Sequence, residues 1–577
     1  MMNTEQNNNS KVLAKYAGIS EKAAEFLCKR GIDSPEKYKE YFFTRLSSVR
    51  DVNKMRDAQD FLEILSDAID DEKEITIYGD YDCDGIMATS IFLLALKKIS
   101  KAPVNWFIND RFKEGYGMNE KGVVRLLDTF PSTRLIVTVD NGIKAVGGVR
   151  LAIERGVDVI ISDHHKQSSG DLLPSCPVVC EGRIDEPEES KEYFCGAELA
   201  RRLVSQLYVN RGIVEQNKRF LNSLCAYSGF ATITDSVPMN WANHEIARIG
   251  LKMIQQNYDP LWTNLNKKME PYRVNQDTVG FTYGPMFNAP GRVCGSVDAS
   301  MDVILASHFG TSEEASAAID KLIEINEERK NWSKEDDALA FEMAAMYEGD
   351  RFLILASESF REGINGLTAS HLTEHYQVPA IVLSPIKGNE NVYKGSGRSV
   401  DLINLFELLE ESGDLMEGYG GHPMAAGIAV KKENIDLLRK RLNEITPENK
   451  NKGKTNEDFV CDTSDISMDM IHEFQKFEPY GEKFEKPLFK LNGSIENISF
   501  MKDKHIKFEV SDGNNGNVMQ ILWWNSVEYY NSENMDLKNG DALICIGTPE
   551  SNTFNNCERI QMVANKIKFN NSPAFAG

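Results

Sequence analysis

Short apolar runs alternate with helical patterns between residues 74 and 180. The apolar runs are rich in β-branched residues and have the length of buried strands. The segments between them place apolar residues at helical spacing, so the alternation predicts a mainly parallel sheet covered by helices. The strand-like runs are Glu74–Tyr78, Val104–Ile108, Leu135–Val139, Val157–Ser162 and Pro177–Cys180, and the helical segments are Ala88–Ile99, Asn119–Thr129 and Ala145–Arg155.

Helical patterns also flank this region. Residues 11–70 are helical in pattern and show no candidate chemistry, which favours a packing role. Ser312–Tyr347 has the pattern of a long, charged helix that connects two lobes. A second α/β unit follows, with strands at Arg351–Ala356 and Pro379–Ser384 around a helix at Asn365–His375.

The carboxyl-terminal part has the pattern of a small β-barrel. It follows residues 446–457, whose Asn, Lys, Glu and Gly are typical of a linker. About five short strands separated by turns, among them Asp512-Gly513-Asn514 and Asn539-Gly540-Asp541, favour a barrel of the OB type. Trp523 and Trp524 are candidates for base stacking, unless one is a core residue of a purely structural module. The strand-like runs are Phe489–Ile495, Ile506–Val510, Val518–Trp523, Ala542–Ile546 and Gln561–Ile567.

Three carboxylates follow the first strand at alternate positions, Asp80, Asp82 and Asp84. An extended backbone would place all three on one side of the chain. Like charges this close repel, and they cannot all stay ionised in a partly dry site without a cation. The alternative is an acidic surface turn. The Ile-rich strand before the acids and the small Gly85 and Ala88 after them favour a site beside a helix start.

Acids recur where later strands end. Asp140 follows the third strand, and Asp163-His164-His165 follow the fourth. Parallel strands end at one sheet edge, so these residues are expected near Asp82. Neighbours on a strand face opposite sides, which predicts different roles for His164 and His165. Asp235 is either one more carboxylate of the cluster or a helix cap or turn.

Glycine-rich segments carry three further candidate residues. Tyr283–Arg292 is predicted to be a Gly/Pro-rich loop that delivers Arg292. Gly395–Ser399 and Gly418–Pro423 are predicted to be glycine loops that carry Arg398 and His422. Glycine loops bring backbone N–H groups close to a phosphate, and arginine binds phosphate with two hydrogen bonds.

Composition narrows the class of protein. The chain has 577 residues, enough for three or four domains of roughly 150 residues each. Its net charge of −22 argues mildly against general DNA binding. No apolar run approaches the roughly 20 residues of a membrane span, and the polar first residues lack a signal-peptide core. The ten scattered cysteines fit a reducing compartment, so we expect a cytoplasmic protein.

The motifs together resemble those of the DHH phosphoesterases and, within them, of the RecJ branch. The resemblance runs in order from about residue 40 to 570. The catalytic motifs are Asp80–Gly85, Val139–Gly142, Asp163–His165 and Thr232–Asp235, and the further motifs are Asn288–Arg292, Gly395–Ser399 and Gly420–Gly427.

The resemblance implies a two-lobed α/β fold with parallel sheets. Its implied division is an N-terminal helical segment (1–70), a DHH catalytic domain (71–310), a connector helix (311–348), a DHHA1-like substrate-binding domain (349–446), a linker (447–475) and an OB-like β-barrel (476–577).

It also implies a 5′→3′ exonuclease specific for single-stranded DNA, which releases 5′-mononucleotides in repair or recombination. Two divalent cations are implied, with Mn²⁺ favoured over Mg²⁺. The implied metal ligands are Asp82, Asp84, Asp140, His164 and Asp235, with Asp140 bridging the ions. Asp80 and His165 would support the site or contact the phosphate. The implied substrate contacts are Arg111, Tyr116, Arg292, Ser396, Arg398, Gly420, Gly421 and His422.

The chain departs from the family pattern at Phe360-Arg361, where a Trp-His pair is usual, and at Pro290, where a small residue is common. The first departure bears on how the phosphate or the 5′ end is handled, and not on the metal chemistry. The negative charge of four carboxylates is balanced locally by the positive charge of two divalent ions. Arg111, Arg292 and Arg398 can therefore make the DNA path positive, although the net charge of the whole chain is negative. We expect the strand to run between the lobes in a cleft too narrow for a duplex.

Two other functions compete. One is a phosphodiesterase of the same superfamily that acts on oligoribonucleotides or cyclic dinucleotides; the OB-like tail and the chain length favour a polymer instead. The other is a replication or repair scaffold that has lost catalysis, which the complete set of acids and histidines disfavours. The expected partners are single-stranded DNA and either a single-strand-binding protein or a helicase, with the protein itself a monomer and no membrane contact.

Overall fold

The computed structural model describes residues 4–188, 191–386, 388–450, 457–513, 517–532, 535–554, 557–569 and 575–576. Part of the linker expected at 447–475, namely 451–456, and Asn514 of one expected turn lie outside these residues. The helices in chain order are α1 (Thr4–Ala17), α2 (Glu21–Lys29), α3 (Pro35–Phe43), α4 (Ala58–Asp70), α5 (Cys83–Ile99), α6 (Glu120–Thr129), α7 (Val146–Glu154), α8 (Gly196–Asn210), α9 (Val214–Thr234), α10 (Trp241–Gln255), α11 (Pro260–Met269), α12 (Gln276–Thr278), α13 (Gly284–Val293), α14 (Asp298–Phe309), α15 (Ser312–Ala344), α16 (Asn365–Tyr376), α17 (Leu405–Glu410), α18 (Ile435–Ile445), α19 (Met468–Gln475) and α20 (Val527–Ser532).

Strands form three sheets. The strands are β1 (Glu74–Gly79), β2 (Val104–Ile108), β3 (Thr133–Val139), β4 (Asp158–Asp163), β5 (Val178–Cys180), β6 (Leu353–Ala356), β7 (Ala380–Ile386), β8 (Asn389–Arg398), β9 (Gly418–His422), β10 (Ala425–Lys431), β11 (Phe459–Cys461), β12 (Phe489–Met501), β13 (His505–Ser511), β14 (Val518–Trp523), β15 (Ala542–Phe554), β16 (Cys557–Phe569) and β17 (Phe575–Ala576).

The chain divides into two compact units. One contains residues 35–329 and 478–485, and the other contains 1–34, 330–477 and 486–577. Helix α15 belongs partly to each unit and confirms the long helix expected at Ser312–Tyr347. The helical segment expected at 1–70 is divided, since α1 and α2 group with one unit and α3 and α4 with the other.

A five-stranded, all-parallel sheet forms the centre of the first unit. Its strand order is β2-β1-β3-β4-β5, which confirms the parallel sheet predicted from the alternating pattern. Successive side chains face opposite sides, as in any strand. Ile75 and Ile77 therefore join a core with α4, α5 and α8, while Tyr78 joins a second core with α6 and α7. Both faces are covered, so the strands are apolar throughout.

The strand order places a crevice at one edge of this sheet. From β1 the chain passes to β2 on one side, whereas β3, β4 and β5 lie on the other side. The loops after β1 and β3 therefore leave in opposite directions. Open α/β sheets bind ligands at this kind of switch point, at the carboxyl ends of the strands.

The second unit contains a mixed sheet in the order β6-β7-β8-β10-β9. The segments expected to be glycine loops at Gly395–Ser399 and Gly418–Pro423 are instead largely the paired strands β8 and β9, so the loop prediction is wrong. Close backbone approach explains the glycine at Gly395. A Cβ atom there would lie 1.9 Å from the carbonyl oxygen of Val382 on β7. Glycine serves strand packing at this position.

A closed barrel follows in the same unit. Strand β12 pairs with β13 and, through its first half, with β15, so the five strands β12, β13, β14, β16 and β15 form a ring. This confirms the predicted OB-like barrel. Within the segment expected to be a linker, β11 pairs with β12 and α19 follows. In the described part of the chain, no helix is both long and apolar enough to cross a bilayer.

Candidate metal centre

The first acidic segment turns sharply where β1 ends. The strand stops at Gly79, and α5 begins at Cys83. Asp82 is the N-cap of α5, and its carboxylate accepts a hydrogen bond from the Gly85 N–H at 3.0 Å. Asp84 lies in the first helical turn. The expectation that Asp80, Asp82 and Asp84 share one side of an extended strand is therefore wrong, while the helix start beside them is confirmed.

Asp140 follows β3 in a strained conformation. Its φ of 59° lies in the left-handed region, which is uncommon for a residue other than glycine. The Asp140 N–H donates to the Ser162 carbonyl at 3.0 Å, and the neighbouring Asn141 amide donates to the carbonyls of Tyr78 and Val139. Strand ends β1, β3 and β4 therefore hold the Asp140 backbone in place. Strain of this kind is common at functional sites.

Asp163 organises the two histidines that follow β4. Its Oδ1 accepts from the N–H groups of His164 and His165 and lies 2.8 Å from His165 Nδ1, while its Oδ2 accepts from the Ile143 N–H. Since β4 ends at Asp163, neither histidine is on the strand, and the expectation that they face opposite sides of the sheet is wrong. Their ring centroids lie 4.6 Å apart.

Asp235 satisfies both interpretations left open by the sequence. It is the C-cap of α9, and its carboxylate also reaches the cluster. His164 Nε2 lies 3.8 Å from Asp235 Oδ2, 3.0 Å from Asp140 Oδ1 and 3.6 Å from Asp84 Oδ2. Three sets of ligand atoms lie close enough together to hold a metal ion: Asp84 with His164 and Asp235, Asp80 with Asp82 and Asp140, and Asp140 with His164 and His165.

The electrostatics of the cluster fit a bound cation. Burial and the neighbouring carboxylates raise the pKa of Asp80, Asp82, Asp140 and Asp235. Burial, followed by the charge of His165, lowers the pKa of His164. Asp140 Oδ1 and His164 Nε2 are both buried and, among the described residues, make no hydrogen bond. Carboxylate and imidazole ligands suit divalent ions such as Mn²⁺ and Mg²⁺, so the residues present fit the implied metals.

His165 differs from His164 in its charge. Burial lowers the pKa of His165, but the adjacent Asp163 carboxylate outweighs burial and raises that pKa to about 9. In turn, although burial raises the pKa of Asp163, the two histidines and the Ile143 N–H lower it to about 2. In the metal-free protein at neutral pH, this pair is therefore an imidazolium beside a carboxylate at the edge of an acidic cluster.

We expect Asp163→Asn to lower the pKa of His165 from about 9 toward the ordinary value, because the charged partner is lost. As the pH rises, the variant's imidazolium then loses its proton earlier than that of the wild type. NMR titration of the imidazole signals in metal-free protein measures this shift. An unchanged His165 titration would contradict the assignment of Asp163 as its charge partner.

A residue not singled out by the sequence completes the cluster. Helix α8 begins at Gly196, and its first N–H groups point at Asp84: the Gly196 N–H donates to Oδ2 at 2.5 Å and the Ala197 N–H to Oδ1 at 2.8 Å. A Cβ atom on Gly196 would lie 2.7 Å from Asp140 Cβ. The helix dipole thus stabilises a buried carboxylate. In the sequence, Gly196 is simply a glycine followed by a helical pattern. Because the same pattern occurs at many ordinary helix starts, it does not mark Gly196 as part of the cluster.

Tyr116 and Arg111 line one side of the cluster. The Tyr116 hydroxyl lies 3.0 Å from His165 Nε2, and its ring contacts Tyr81 edge-to-face. The Arg111 guanidinium lies 5.1 Å from the Tyr81 ring centroid, a cation–π arrangement. The pKa of Tyr81 is raised to about 12, first by burial and then by Asp80, with Arg111 and Arg292 acting in the opposite direction. Arg292 therefore also lies near Tyr81, on this side of the cluster.

Arg292 is delivered by a helix, which corrects the expected loop. A π-helical turn at Val279–Tyr283 leads directly into α13, and Arg292 lies in its last turn. Pro285 stands in the first turn of α13, where a helix tolerates a missing N–H. Gly284 and Pro285 therefore mark a helix start, whereas Pro290 lies inside the helix.

The candidate residues of the second unit share a sheet face. Ser396 and Arg398 lie two residues apart on β8, and their partners on β10 pair in turn with Gly420 and His422 of β9. Residues opposite one another face the same side, so these four line one face. Gly421 lies on the other face.

Arg361, which stands where the family pattern has a histidine, is committed to helix α15. Its guanidinium lies 5.2 Å from the Trp332 ring centroid, and it pairs with Asp336 at 2.7 Å and with Glu335. Arg361 therefore links helix α15 to the segment before α16.

The two tryptophans of the barrel differ in exposure. Trp523 is buried in the barrel core, so the core alternative is correct for this residue. Trp524 is 47% exposed, and its ring contacts His505 edge-to-face. Trp524 alone of this pair is available for stacking.

Comparison with known proteins agrees with this geometry. Residues 74–227 match the DHH family, N-terminal domain, residues 349–448 the DHHA1 domain, and residues 457–566 the RecJ OB domain. The fold and the cluster define a phosphoesterase of the DHH class.

The relatives identify the branch. The chain is 31% identical over 565 residues to the single-stranded-DNA-specific exonuclease RecJ of Bacillus subtilis, covering 96% of this chain and 68% of that protein. The chain belongs to the RecJ family. A crystal structure of RecJ from Thermus thermophilus in complex with Mn²⁺ shares its fold, with a TM-score of 0.77, 22% identity, and coverage of 99% of this chain and 79% of that one. A structure of exonuclease RecJ bound to manganese has a TM-score of 0.57, 26% identity, and coverage of 68% and 95%.

Proposed function

We propose that this protein is a metal-dependent exonuclease that degrades single-stranded DNA from the 5′ end and releases 5′-mononucleotides in repair or recombination. The observation that carries the proposal is the convergence of acids and an imidazole from four separate segments at one sheet edge, with Asp84, His164 and Asp235 close enough to share an ion. Family membership supplies the substrate class, since the relatives are named single-stranded-DNA-specific exonucleases.

We assign the metal ligands to Asp82, Asp84, Asp140, His164 and Asp235. Asp140 is the candidate bridge, because it belongs both to the set with Asp80 and Asp82 and to the set with His164. Two divalent ions, when bound, would lower the pKa of a water and offset charge on the scissile phosphate. Mn²⁺ is favoured over Mg²⁺ because imidazole is among the ligands.

The protein's own groups orient the substrate. His165 supports the site: its Nδ1 lies 2.8 Å from Asp163 Oδ1 and its Nε2 lies 3.0 Å from the Tyr116 hydroxyl, so both partners fix the ring beside the cluster. Arg111 and Arg292 supply positive charge beside Tyr81. On the second unit, Ser396, Arg398, Gly420 and His422 line a face suited to phosphate, and Gly421 shapes β9 beside them.

Digestion of end-labelled oligonucleotides tests the proposal. We expect hydrolysis of single-stranded DNA with a free 5′ end, release of 5′-mononucleotides, no activity in EDTA, and recovery with Mn²⁺ above that with Mg²⁺. A blocked 5′ end should stop digestion, and a blocked 3′ end should not. Faster turnover of oligoribonucleotides or cyclic dinucleotides than of long single-stranded DNA would favour the superfamily alternative. Equal digestion of duplex DNA would contradict a narrow cleft.

The remaining sequence-based expectations stay predictions. These are the domain boundaries, the monomeric state, the cytoplasmic location, and a single-strand-binding protein or helicase as partner.

A further inference from the structure

A recess adjoins the metal cluster on the side of His164. It has a volume of about 340 Å³, within the size range of small-ligand pockets, roughly 300–1,000 Å³. Its walls come from the segment after β4, the segment after β5 and the residues that follow Asp235. Tyr116 and Arg111 lie beside His165 and Tyr81 instead. Because His164 belongs both to the cluster and to the lining, a phosphate held at the cluster would lie next to the recess.

The recess is cross-linked by amide groups. The Asn243 side chain is fully buried, and its Nδ2 donates to the Tyr193 carbonyl at 3.1 Å and to the Pro238 carbonyl at 2.9 Å. Gln167 joins the other two segments, because its backbone N–H donates to the Gly182 carbonyl and its Oε1 accepts from the Ile184 N–H. These bonds fix the walls relative to one another.

Tyr193 is presented to the recess at a cost in backbone strain. Its φ of 57° lies in the left-handed region, where an aromatic residue is an outlier. The residue is 40% exposed, and its hydroxyl donates to Glu188. The residue after it, Phe194, is buried and donates its N–H to Glu181 at 3.1 Å. A strained, exposed aromatic held by its neighbours marks a candidate binding residue.

The charges of the recess suit a phosphodiester strand. Lys166 is exposed, and among the described residues its ammonium makes no salt bridge. Lys191 pairs with Glu188 at 2.8 Å. Burial raises the pKa of Glu181, and its carboxylate accepts a hydrogen bond from the Phe194 N–H. An aromatic face next to cations is the arrangement that binds single-stranded nucleic acid without base specificity.

We propose that this recess is a nucleotide subsite, in which Tyr193 stacks on the base next to the scissile phosphate and Lys166 contacts the adjoining phosphate. The inference rests on the proposed nuclease function and adds a binding site to it. The ligand is a nucleotide unit, which comes either from the strand or from released product.

Variants at Tyr193 test the subsite. Tyr193→Asn removes the ring, and asparagine tolerates the left-handed backbone. We expect it to raise KM for single-stranded DNA about tenfold with little change in kcat, because one stacking contact is lost. Tyr193→Phe keeps the ring and should retain the wild-type KM. Tyr272→Leu, which changes an exposed tyrosine outside the recess, is the matched control.

Fluorescence locates the base directly. We would place 2-aminopurine at successive positions of an oligonucleotide bound with Ca²⁺ in place of a catalytic metal. Quenching at one position flanking the scissile phosphate, present in wild type and Tyr193→Phe but absent in Tyr193→Asn, supports the subsite. Quenching of free 2-aminopurine nucleotide instead identifies product as the occupant. Equal KM and equal quenching in Tyr193→Asn and wild type would overturn the subsite.

A second position guards against misfolding. If Tyr193→Asn lowers the melting temperature, Lys166→Glu tests the subsite without a change at the strained residue. We expect Lys166→Glu to raise KM at least severalfold, because it replaces a phosphate-binding cation with an anion. Lys97→Glu on α5 makes the same charge change outside the recess and should leave KM unchanged. Lys166→Glu with unchanged KM would overturn the phosphate contact. Failure of the wild-type protein to hydrolyse single-stranded DNA would reject the nuclease function, whereas an active wild type with insensitive variants would reject only the subsite.

Discussion

Replacement of Asp140 by alanine is expected to abolish hydrolysis of single-stranded DNA and to leave the fold intact. Asp140 belongs to two of the three candidate ligand sets, so its loss removes donors from both. Losing a group that merely supports a metal ligand costs about 10–100-fold in affinity or activity, and we expect at least about a thousandfold here. Rates of single-stranded DNA digestion in Mn²⁺ measure the effect.

The fold should tolerate this change. Asp140 is one of several buried carboxylates that repel one another, and its removal relieves part of that repulsion in the metal-free protein. We therefore expect a melting temperature equal to or above that of the wild type without metal. Asp158→Ala is the matched control, since Asp158 is exposed at the start of β4, away from the carboxyl edge. Substantial activity in Asp140→Ala would rule out the bridging role.

Replacement of Gly196 by alanine should impair the site nearly as strongly, although Gly196 offers no ligand atom from its side chain. The new Cβ would lie 2.7 Å from Asp140 Cβ and 2.8 Å from Asp140 Oδ1, closer than such contacts allow. Either Asp140 or the start of α8 must move, and movement of α8 weakens its two hydrogen bonds to Asp84. We expect metal affinity and activity to fall by about 100-fold.

Helix propensity cannot account for such a loss, because alanine is a better helix former than glycine by about 1 kcal/mol. Gly280→Ala is the control, since a Cβ at Gly280 meets no atom within 4 Å. Calorimetric titration with Mn²⁺ separates metal affinity from turnover. Wild-type metal affinity in Gly196→Ala would show that the site adapts to the added methyl group.

The sheet and its acids were predictable because each depends on local sequence. A buried parallel strand must be apolar, so β1, β3 and β4 appear as Ile- and Val-rich runs, and a polar residue directly after them lies at the sheet edge. Charge crowding then predicted a cation near Asp82 without any knowledge of partners.

Local conformation around these acids was less predictable. Period-two alternation holds only while the strand continues, and β1 stops at Gly79 because the chain turns into α5. Asp80, Asp82 and Asp84 converge through a helix cap. Gly196 was missed because its role depends on contact with Asp84 and Asp140, which are distant in sequence.

Glycine has several structural roles in this protein, and the sequence alone does not distinguish one from another. The glycines of β8 and β9 were interpreted as phosphate-binding loops, but Gly395 permits close strand approach to Val382. The Gly/Pro-rich segment before Arg292 is helix α13, with Pro285 in its first turn and Pro290 inside it. The candidate residues Ser396, Arg398 and His422 nevertheless align, because pairing of β8, β10 and β9 places them on one sheet face.

Anomalous diffraction at the manganese edge, from crystals of the full chain soaked in Mn²⁺, tests the central claim most directly. We expect two peaks at the carboxyl edge of the parallel sheet, each within ligand distance of Asp140, with His164 and Asp235 contacting one of them. Peaks at other surfaces only, with none among Asp82, Asp84, Asp140, His164 and Asp235, would contradict it.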